Sequence, residues 1–311
     1  MPLNHGYAYR SRLLPDAAED LPLADYLARH HPHATPDEWR TRIECGEVWL
    51  DGSQARPDAP LRPGQELVWH RPPWDEPAVP TTDFEIITSD EAIVAVSKPS
   101  GLPTLPGAGF LEQTLLFQVR QRFPDAAPMH RLGRGTSGLV LFARTTAAAR
   151  ALQRAWQQGS VEKRYLAIAS GLVPEQRTIE VPIGPVAHPT LGTIHAATTA
   201  ENGKRARSRL RRIAHLDGGV RSLVEVRIDT GRPHQIRIHM AAIGHPLVGD
   251  PLYRSGGLPD PARAALPGEL GYLLHAWKLD FDHPTTGRAM CLRAPLPEAW
   301  SEYRALVERG C

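Results

Sequence analysis

The spacing of apolar positions changes character several times along the chain, and the changes divide it. Leu23, Tyr26 and Leu27 recur at helical spacing. Thr35-Pro36 with Glu38 has the cap-then-proline form of a second helix start, and Trp39 and Ile43 give that helix an apolar side. Alternation takes over at Val48 and Leu50, before a turn at Asp51-Gly52, and Pro63-Gly64 makes another turn ahead of Leu67, Val68 and Trp69. A small α+β unit over residues 1–70 is expected. Residues 71–83, RPPWDEPAVPTTD, hold four prolines and two adjacent acids, the composition of a linker. Over residues 84–311, FEIIT, AIVAVSK, LVLFAR, YLAIAS, LVEVRID and IRIHMA read as strands, and TTAAARALQRAWQQG is the clearest helix. Strands outnumber helices without alternating regularly with them. The expected fold class is therefore α+β on a mixed, mostly antiparallel sheet rather than a doubly wound parallel one.

Composition adds limits. A chain of 311 residues with 30 prolines is long enough for one small and one larger domain joined by stiff loops. A net charge of +2 selects no partner class by itself, so the distribution of charge matters more than its sum. Cys45, Cys291 and Cys311 are odd in number and far apart, which suggests reduced thiols rather than a disulfide framework or a metal cluster. No apolar run reaches membrane length and MPLNHGYAYRSRL lacks an apolar secretory core, so a soluble, cytoplasmic protein without a membrane partner is expected.

Residues 130–138, HRLGRGTSG, contain G-x-G-x-x-G at Gly133, Gly135 and Gly138. That spelling cradles a pyrophosphate only where a strand enters the glycines and a helix leaves them. Here PDAAPMH reads as a loop, LVLFAR as a strand, and the acid expected about twenty residues further on is missing, so a dinucleotide site is not expected. Other polar clusters carry candidate chemistry. EKRYLAIASG sets Tyr165 at the head of a strand, and GRPHQIRIHM crowds Arg232, His234, Gln235, Arg237 and His239 onto a strand and its approach. GKRARSRLRR places Lys204, Arg205, Arg207, Arg209, Arg211 and Arg212 within nine positions. As a strand, Arg205, Arg207, Arg209 and Arg211 would share one face, which fits a tracker of phosphates as well as it fits a charged, solvated strand edge. His234, His239 and His245 have no acid or thiol companion at ligand spacing, and Arg237 between them would repel a cation, so no metal site is expected.

Four of these stretches occur in order: AIVAVSKPSGLPT (93–104), MHRLGRGTSGLVLFAR (129–144), KRYLAIASG (163–171) and TGRPHQIRIHMAAIGHPLVGDPLY (230–253). Together they resemble the RNA pseudouridine synthase family of the RluA type, over residues 84 to about 300. The N-terminal pattern, with glycines 46, 52 and 64, resembles the small RNA-binding module first known from a ribosomal small-subunit protein; a generic α+β cap is the alternative. The resemblance implies cofactor-free isomerisation of a uridine in structured RNA, ribosomal or transfer, by a monomeric protein. The uridine is flipped out, its N-glycosidic bond is broken, and the uracil is rejoined to the sugar through carbon. It implies that Arg131 fills the vacated space and that Tyr165 lies against the uracil. It also implies that Arg237 holds a catalytic carboxylate and faces residue 133 across the cleft. His130, Arg134, Thr136, Ser137, Lys204, Arg205, Arg207, Arg232, His234 and Gln235 are the accompanying candidates for RNA or uridine binding.

The sequence departs from the family at one position. The resemblance expects H-R-L-D where this chain reads H-R-L-G, so Gly133 occupies the place of the aspartate. Two outcomes are open: a synthase that recruits another acid, with Asp250 in VGDPLY ahead of Asp125, or a catalytically silent RNA-binding member of the family. Asp250 also reads simply as a turn carboxylate before Pro251. Gly138, and less clearly Gly135, read as backbone requirements of a turn entering a strand.

Overall fold

The computed structural model describes residues 2–18, 21–261 and 265–309. It separates into two compact units, Met1–Pro77 and Ala78–Cys311. The fold class is α+β, with helices set against largely antiparallel sheets.

In the first unit, strand β1 (Tyr7–Arg12) is followed by helices α1 (Leu23–His30) and α2 (Pro36–Glu44) and strands β2 (Val48–Leu50), β3 (Ser53–Gln54) and β4 (Glu66–Arg71). The sheet order is β1-β4-β2-β3. Thr35 caps α2 in a reciprocal capping box with Glu38, satisfying two of the N–H groups a helix start leaves unpaired. Leu23, Leu27, Trp39, Ile43, Val48 and Leu67 bury their side chains in one core. Strand β1 carries no apolar alternation and is almost wholly exposed, so hydrophobic pattern does not reveal it. The proline-rich stretch begins inside this unit. Arg71 pairs with Tyr7, and buried Glu76 accepts a hydrogen bond from Asn4.

The second unit contains β5 (Glu85–Ser89), β6 (Ile93–Lys98), α3 (Leu115–Arg122), β7 (Ala127–Pro128), β8 (Ser137–Ala143), α4 (Thr146–Gln158) and β9 (Glu162–Ser170). Then come β10 (Gln176–Ile179), β11 (Ile183–His188), β12 (Gly192–Ala197), β13 (Ser208–Leu216), β14 (Arg221–Ile228), α5 (Gln235–Ala242), β15 (Tyr253–Arg254) and β16 (Leu258–Pro259). Strands β17 (Leu274–Asp282) and β18 (Ala289–Arg293) and helix α6 (Arg304–Arg309) follow. The large sheet runs β10-β13-β14-β9-β17-β8-β6-β5, with β18 beside β17 and β7 beside β8. Its pairings are antiparallel except for β17 with β8. Helix α4 starts at a Thr145 side-chain cap and stops at Gly159 in the left-handed region, as TTAAARALQRAWQQG implies.

Two features differ from the sequence pattern. IRIHMA is not a strand: Gln235–Ala242 is helix α5, with every residue from Gln235 to Ala241 buried. The Ile-Arg-Ile-His alternation imitates a strand because this helix is covered on all sides, leaving no polar face to mark a period of 3.6. The arginine row is also not an edge. Strand β13 lies between β10 and β14, and Arg205 and Arg207 precede it.

Strand β17 joins two parts of the sheet, and Gly138 permits it. Ala276 pairs with Gly138 in the parallel ladder. Gly138 adopts φ +107, and a Cβ there would lie 2.1 Å from the Ala276 carbonyl oxygen, so only glycine lets the strands meet. At the same junction Ser137 Oγ is 2.9 Å from His275 Nδ1.

Candidate active-site cleft

The 130s loop is held from beneath by the 98–104 segment. Lys98 Nζ donates to the carbonyls of Pro99, Leu102 and Arg134, Ser100 Oγ donates to the Gly135 carbonyl, and Thr104 Oγ1 donates to that of Leu132. Burial lowers the Lys98 ammonium to about 7. The glycines therefore form a pinned turn, closed by Thr136 N–H on the Gly133 carbonyl, which passes into strand β8 and not into a helix. A dinucleotide cradle is excluded by this connectivity.

Above the loop lies a cleft of about 470 Å³ including space open to solvent. Arg131, Gly133, Thr136, Tyr165, Arg232, His234, Gln235, Arg237 and Tyr272 line it, among apolar neighbours. A second hollow of about 970 Å³ adjoins it over Arg131, Gly133, Arg134, Arg232 and His234. Arg131 is exposed and reaches both hollows. Burial pushes the Tyr165 phenol up to about 12, so it stands in the cleft as a neutral group.

Arg237 is almost fully buried, and all three of its nitrogens are engaged. Nε and one terminal nitrogen each donate to Asp250 at 2.7 Å, and the other terminal nitrogen donates to the Pro267 carbonyl at 3.2 Å. Burial opposes the guanidinium's charge, but the Asp250 hydrogen bonds hold it above its ordinary range. The carboxylate paired with Arg237 is thus Asp250, while Arg237 and Gly133 line the same cleft. Asp250 is equally committed: Oδ1 also accepts from the Leu252 and Tyr253 N–H groups. It belongs to a turn and a buried ion pair, not to the cleft lining. Asp125 lies exposed in the connection after α3 and does not line the cleft. Among the described residues no carboxylate lines the cleft.

Sequence reasoning gave no signal for Tyr272, although it is the residue that meets Gly133. Its ring lies under the Arg237 guanidinium, 4.1 Å from carbon to ring centroid, and its hydroxyl is 3.3 Å from Thr136 Oγ1. A Cβ at Gly133 would approach the Tyr272 hydroxyl to 2.9 Å, and one at Gly135 would come within 2.9 Å of the ring. Neither glycine has positive φ; what both require is room for this ring.

The other predicted residues are distributed as follows. Arg134 donates from Nε to the Gly101 carbonyl and packs over Phe110. His130 is turned into the unit, where its Nε2 accepts from the Leu141 N–H and its ring stacks on Trp156; burial lowers it to about 4. Ser137 lies at the β8–β17 junction. Gln235 is a buried hub whose amide donates to the Arg207 carbonyl and to Ser208 Oγ, and whose carbonyl accepts from Thr230 Oγ1 and Arg232 N–H. His234 sits at φ 54 before α5. Its Nδ1 is 2.8 Å from the Tyr253 hydroxyl, which donates onward to the His195 carbonyl, so Nδ1 carries the proton and donates. Burial lowers His234 to about 3. Arg232 donates to the Arg205 carbonyl, and Lys204 is exposed, with its backbone paired to Ile183. Arg205 and Arg207 meet Glu180, Arg207 and Arg209 meet Asp229, and Arg211 meets Glu225, all within 4 Å. Neither Lys204, Arg205 nor Arg207 lines the cleft. No group of three or more His, Cys, Asp or Glu is gathered for a metal ion among the described residues.

The cleft of this α+β unit thus combines a pinned turn, a buried arginine and two phenols, Tyr165 and Tyr272. Comparison sharpens this. The RNA pseudouridylate synthase family model matches residues 92–242. A Synechocystis protein named as an uncharacterized RNA pseudouridine synthase is 41% identical over 88% of this chain and 94% of its own length. RNA pseudouridine synthase 5 of Arabidopsis thaliana is 35% identical over 95% and 94% respectively. Ribosomal large subunit pseudouridine synthase D of Pseudomonas aeruginosa is 35% identical over 85% and 86%. The solved human RNA Pseudouridylate Synthase Domain Containing 1 aligns with a TM-score of 0.53 at 26% identity, over 75% of this chain and 98% of that one. The chain belongs to the RNA pseudouridine synthase family.

Proposed function

We propose that the chain binds structured RNA, ribosomal or transfer, and isomerises a uridine to pseudouridine in the cleft between residues 131–136 and the start of α5. The observation that carries this reading is the gathering of Arg131, Thr136, Tyr165 and Arg237 around one hollow, from three parts of the sequence. A base stacked in RNA has to leave its stack before its glycosidic bond is accessible, and the exposed, unpaired guanidinium of Arg131 suits the space it vacates. Tyr165 offers the uracil a buried ring to lie against. The isomerisation needs no net oxidant, reductant or co-substrate, since the product is an isomer of the uridine, and the reading places no cofactor in it. The first unit serves as the RNA-binding module. The protein works as a monomer in the cytoplasm; no helix among the described residues is long and apolar enough to cross a membrane.

A second reading is a catalytically silent RNA-binding protein. It is favoured by Gly133, read as standing in the place of the family's aspartate, and by the absence of a lining carboxylate among the described residues. Incubating the protein with RNA from a strain that lacks it, then mapping pseudouridine, separates the two. A new modified position establishes the synthase. No new position together with salt-sensitive RNA binding leaves the silent reading.

A further inference from the structure

We propose that Tyr272 performs the work at the sugar that Gly133 leaves vacant, with its phenol oxygen as the nucleophile. The inference rests on the synthase reading. It starts from position: the first side-chain atom of any residue at 133 would arrive 2.9 Å from the Tyr272 hydroxyl, so the phenol occupies the space such a side chain would enter. Its ring is fixed there by burial, by the Arg237 guanidinium over one face and by the Thr136 hydroxyl at its tip.

The remaining protic groups of the cleft are less suited. Arg237 is a cation without a lone pair to offer carbon, and Asp250 is turned to it and away from the cleft lining. His234 spends its proton on Tyr253. Tyr165 lies on strand β9 and does not come within 4 Å of a Cβ built at Gly133. Tyrosine is an established covalent nucleophile where a carboxylate would otherwise serve.

The step balances without a further reactant. Tyr272 Oη bonds to C1′ of the uridine sugar as the N1–C1′ bond breaks. The bonding pair leaves with uracil N1, which takes up the phenolic proton. The uracil turns, C5 bonds to C1′, the C1′–O bond breaks and returns its pair to Oη, and Oη regains a proton from C5. The product carries N1–H and a C5–C1′ bond, with the enzyme restored.

The experiment measures pseudouridine formation on the RNA identified by modification mapping, for the wild type, Tyr272→Phe and Tyr303→Phe, the last removing a phenol that lies in a separate core cluster and lines neither hollow. Tyr272→Phe should lose at least about 100-fold in rate, as removal of a nucleophile does, while RNA affinity stays within a few-fold. Tyr303→Phe, which removes one phenol hydroxyl away from the cleft, should leave the rate within about twofold. A second measurement does not depend on the variants folding. Acid-quenched single turnovers of the wild type should leave a pentose on the peptide containing Tyr272. An active wild type with an equally active Tyr272→Phe, equal losses in both variants, or a pentose on another residue would each overturn the proposal while leaving the synthase reading intact. A wild type that modifies no RNA overturns both.

Discussion

Arg205, Arg207, Arg209 and Arg211 crowd one short stretch, with Glu180, Asp229 and Glu225 within ion-pair distance, whereas Arg131 stands in the cleft, exposed and with no acid beside it among the described residues. Per arginine the denser group carries less uncompensated charge, since three acids face its four guanidiniums. A solvent-exposed pair gains little free energy, but it lowers the local potential that an RNA phosphate would meet. Arg237 makes the contrast sharper, since its charge is fully compensated and also fully buried. What an arginine can do in this protein depends on its acid partner, and those partners lie 13 to 27 residues away in sequence and can be recognised only once the chain has folded.

The largest test removes the compensation of Arg237. Asp250→Ala should cost about 3–5 kcal/mol, because it leaves a buried cation unpaired, and denaturant unfolding would measure it. An effect below about 1 kcal/mol, the size of a surface pair, would erase the distinction between the buried arginine and the row.

Acid should act on groups that the fold keeps neutral. His130 and His275 are lowered to about 4 by burial, against 6.5 when unfolded. Above 6.5 both states are neutral and no pH dependence arises. Between 6.5 and 4 the unfolded chain binds protons that the folded chain refuses, so stability is lost as pH falls through that window. A melting temperature that declines by several degrees from pH 7 to 4.5 is expected, at about 2–4 °C per kcal/mol for a unit of this size. A flat profile would contradict the burial of these rings.

Arg131→Ala should weaken RNA binding by roughly tenfold and reduce the salt slope by somewhat under one, as expected for one lost phosphate contact. Filter binding at several salt concentrations measures both. The smallest effect is expected in the row, where Arg209→Ala and Arg211→Ala should each change affinity less than about twofold and stability by about 0–1 kcal/mol. If the row variants weaken binding as much as Arg131→Ala, the contrast between paired and unpaired arginine is wrong.

Much of the fold was legible. β6, β8 and the YLAIA part of β9 are continuous apolar runs, as buried strands should be, and α4 carries its start and stop signals in Thr145 and Gly159. Helix α5 was misread because complete burial removes amphipathic period, and β1 was missed because near-complete exposure removes alternation. At the site, HRLGRGTSG, Tyr165 and Arg237 were legible as motif residues. Asp250 was legible as a turn carboxylate and as the nearest candidate for a recruited acid, but not as the partner of Arg237. Tyr272 was illegible: a lone tyrosine between Gly271 and Leu273 gains meaning only when the fold sets it against Gly133, 139 residues earlier.

The parallel pairing of β8 with β17 also governs when the cleft can exist. Residues 131–138 leave the ribosome long before residues 272–276, and until the later strand arrives the sheet consists of two unjoined pieces, β10-β13-β14-β9 and β8-β6-β5. Non-local pairings of this kind are made late, after the entropy of closing a long loop has been met. The nascent chain therefore exposes its glycine turn without a cleft above it until residues 272–276 have been made and paired.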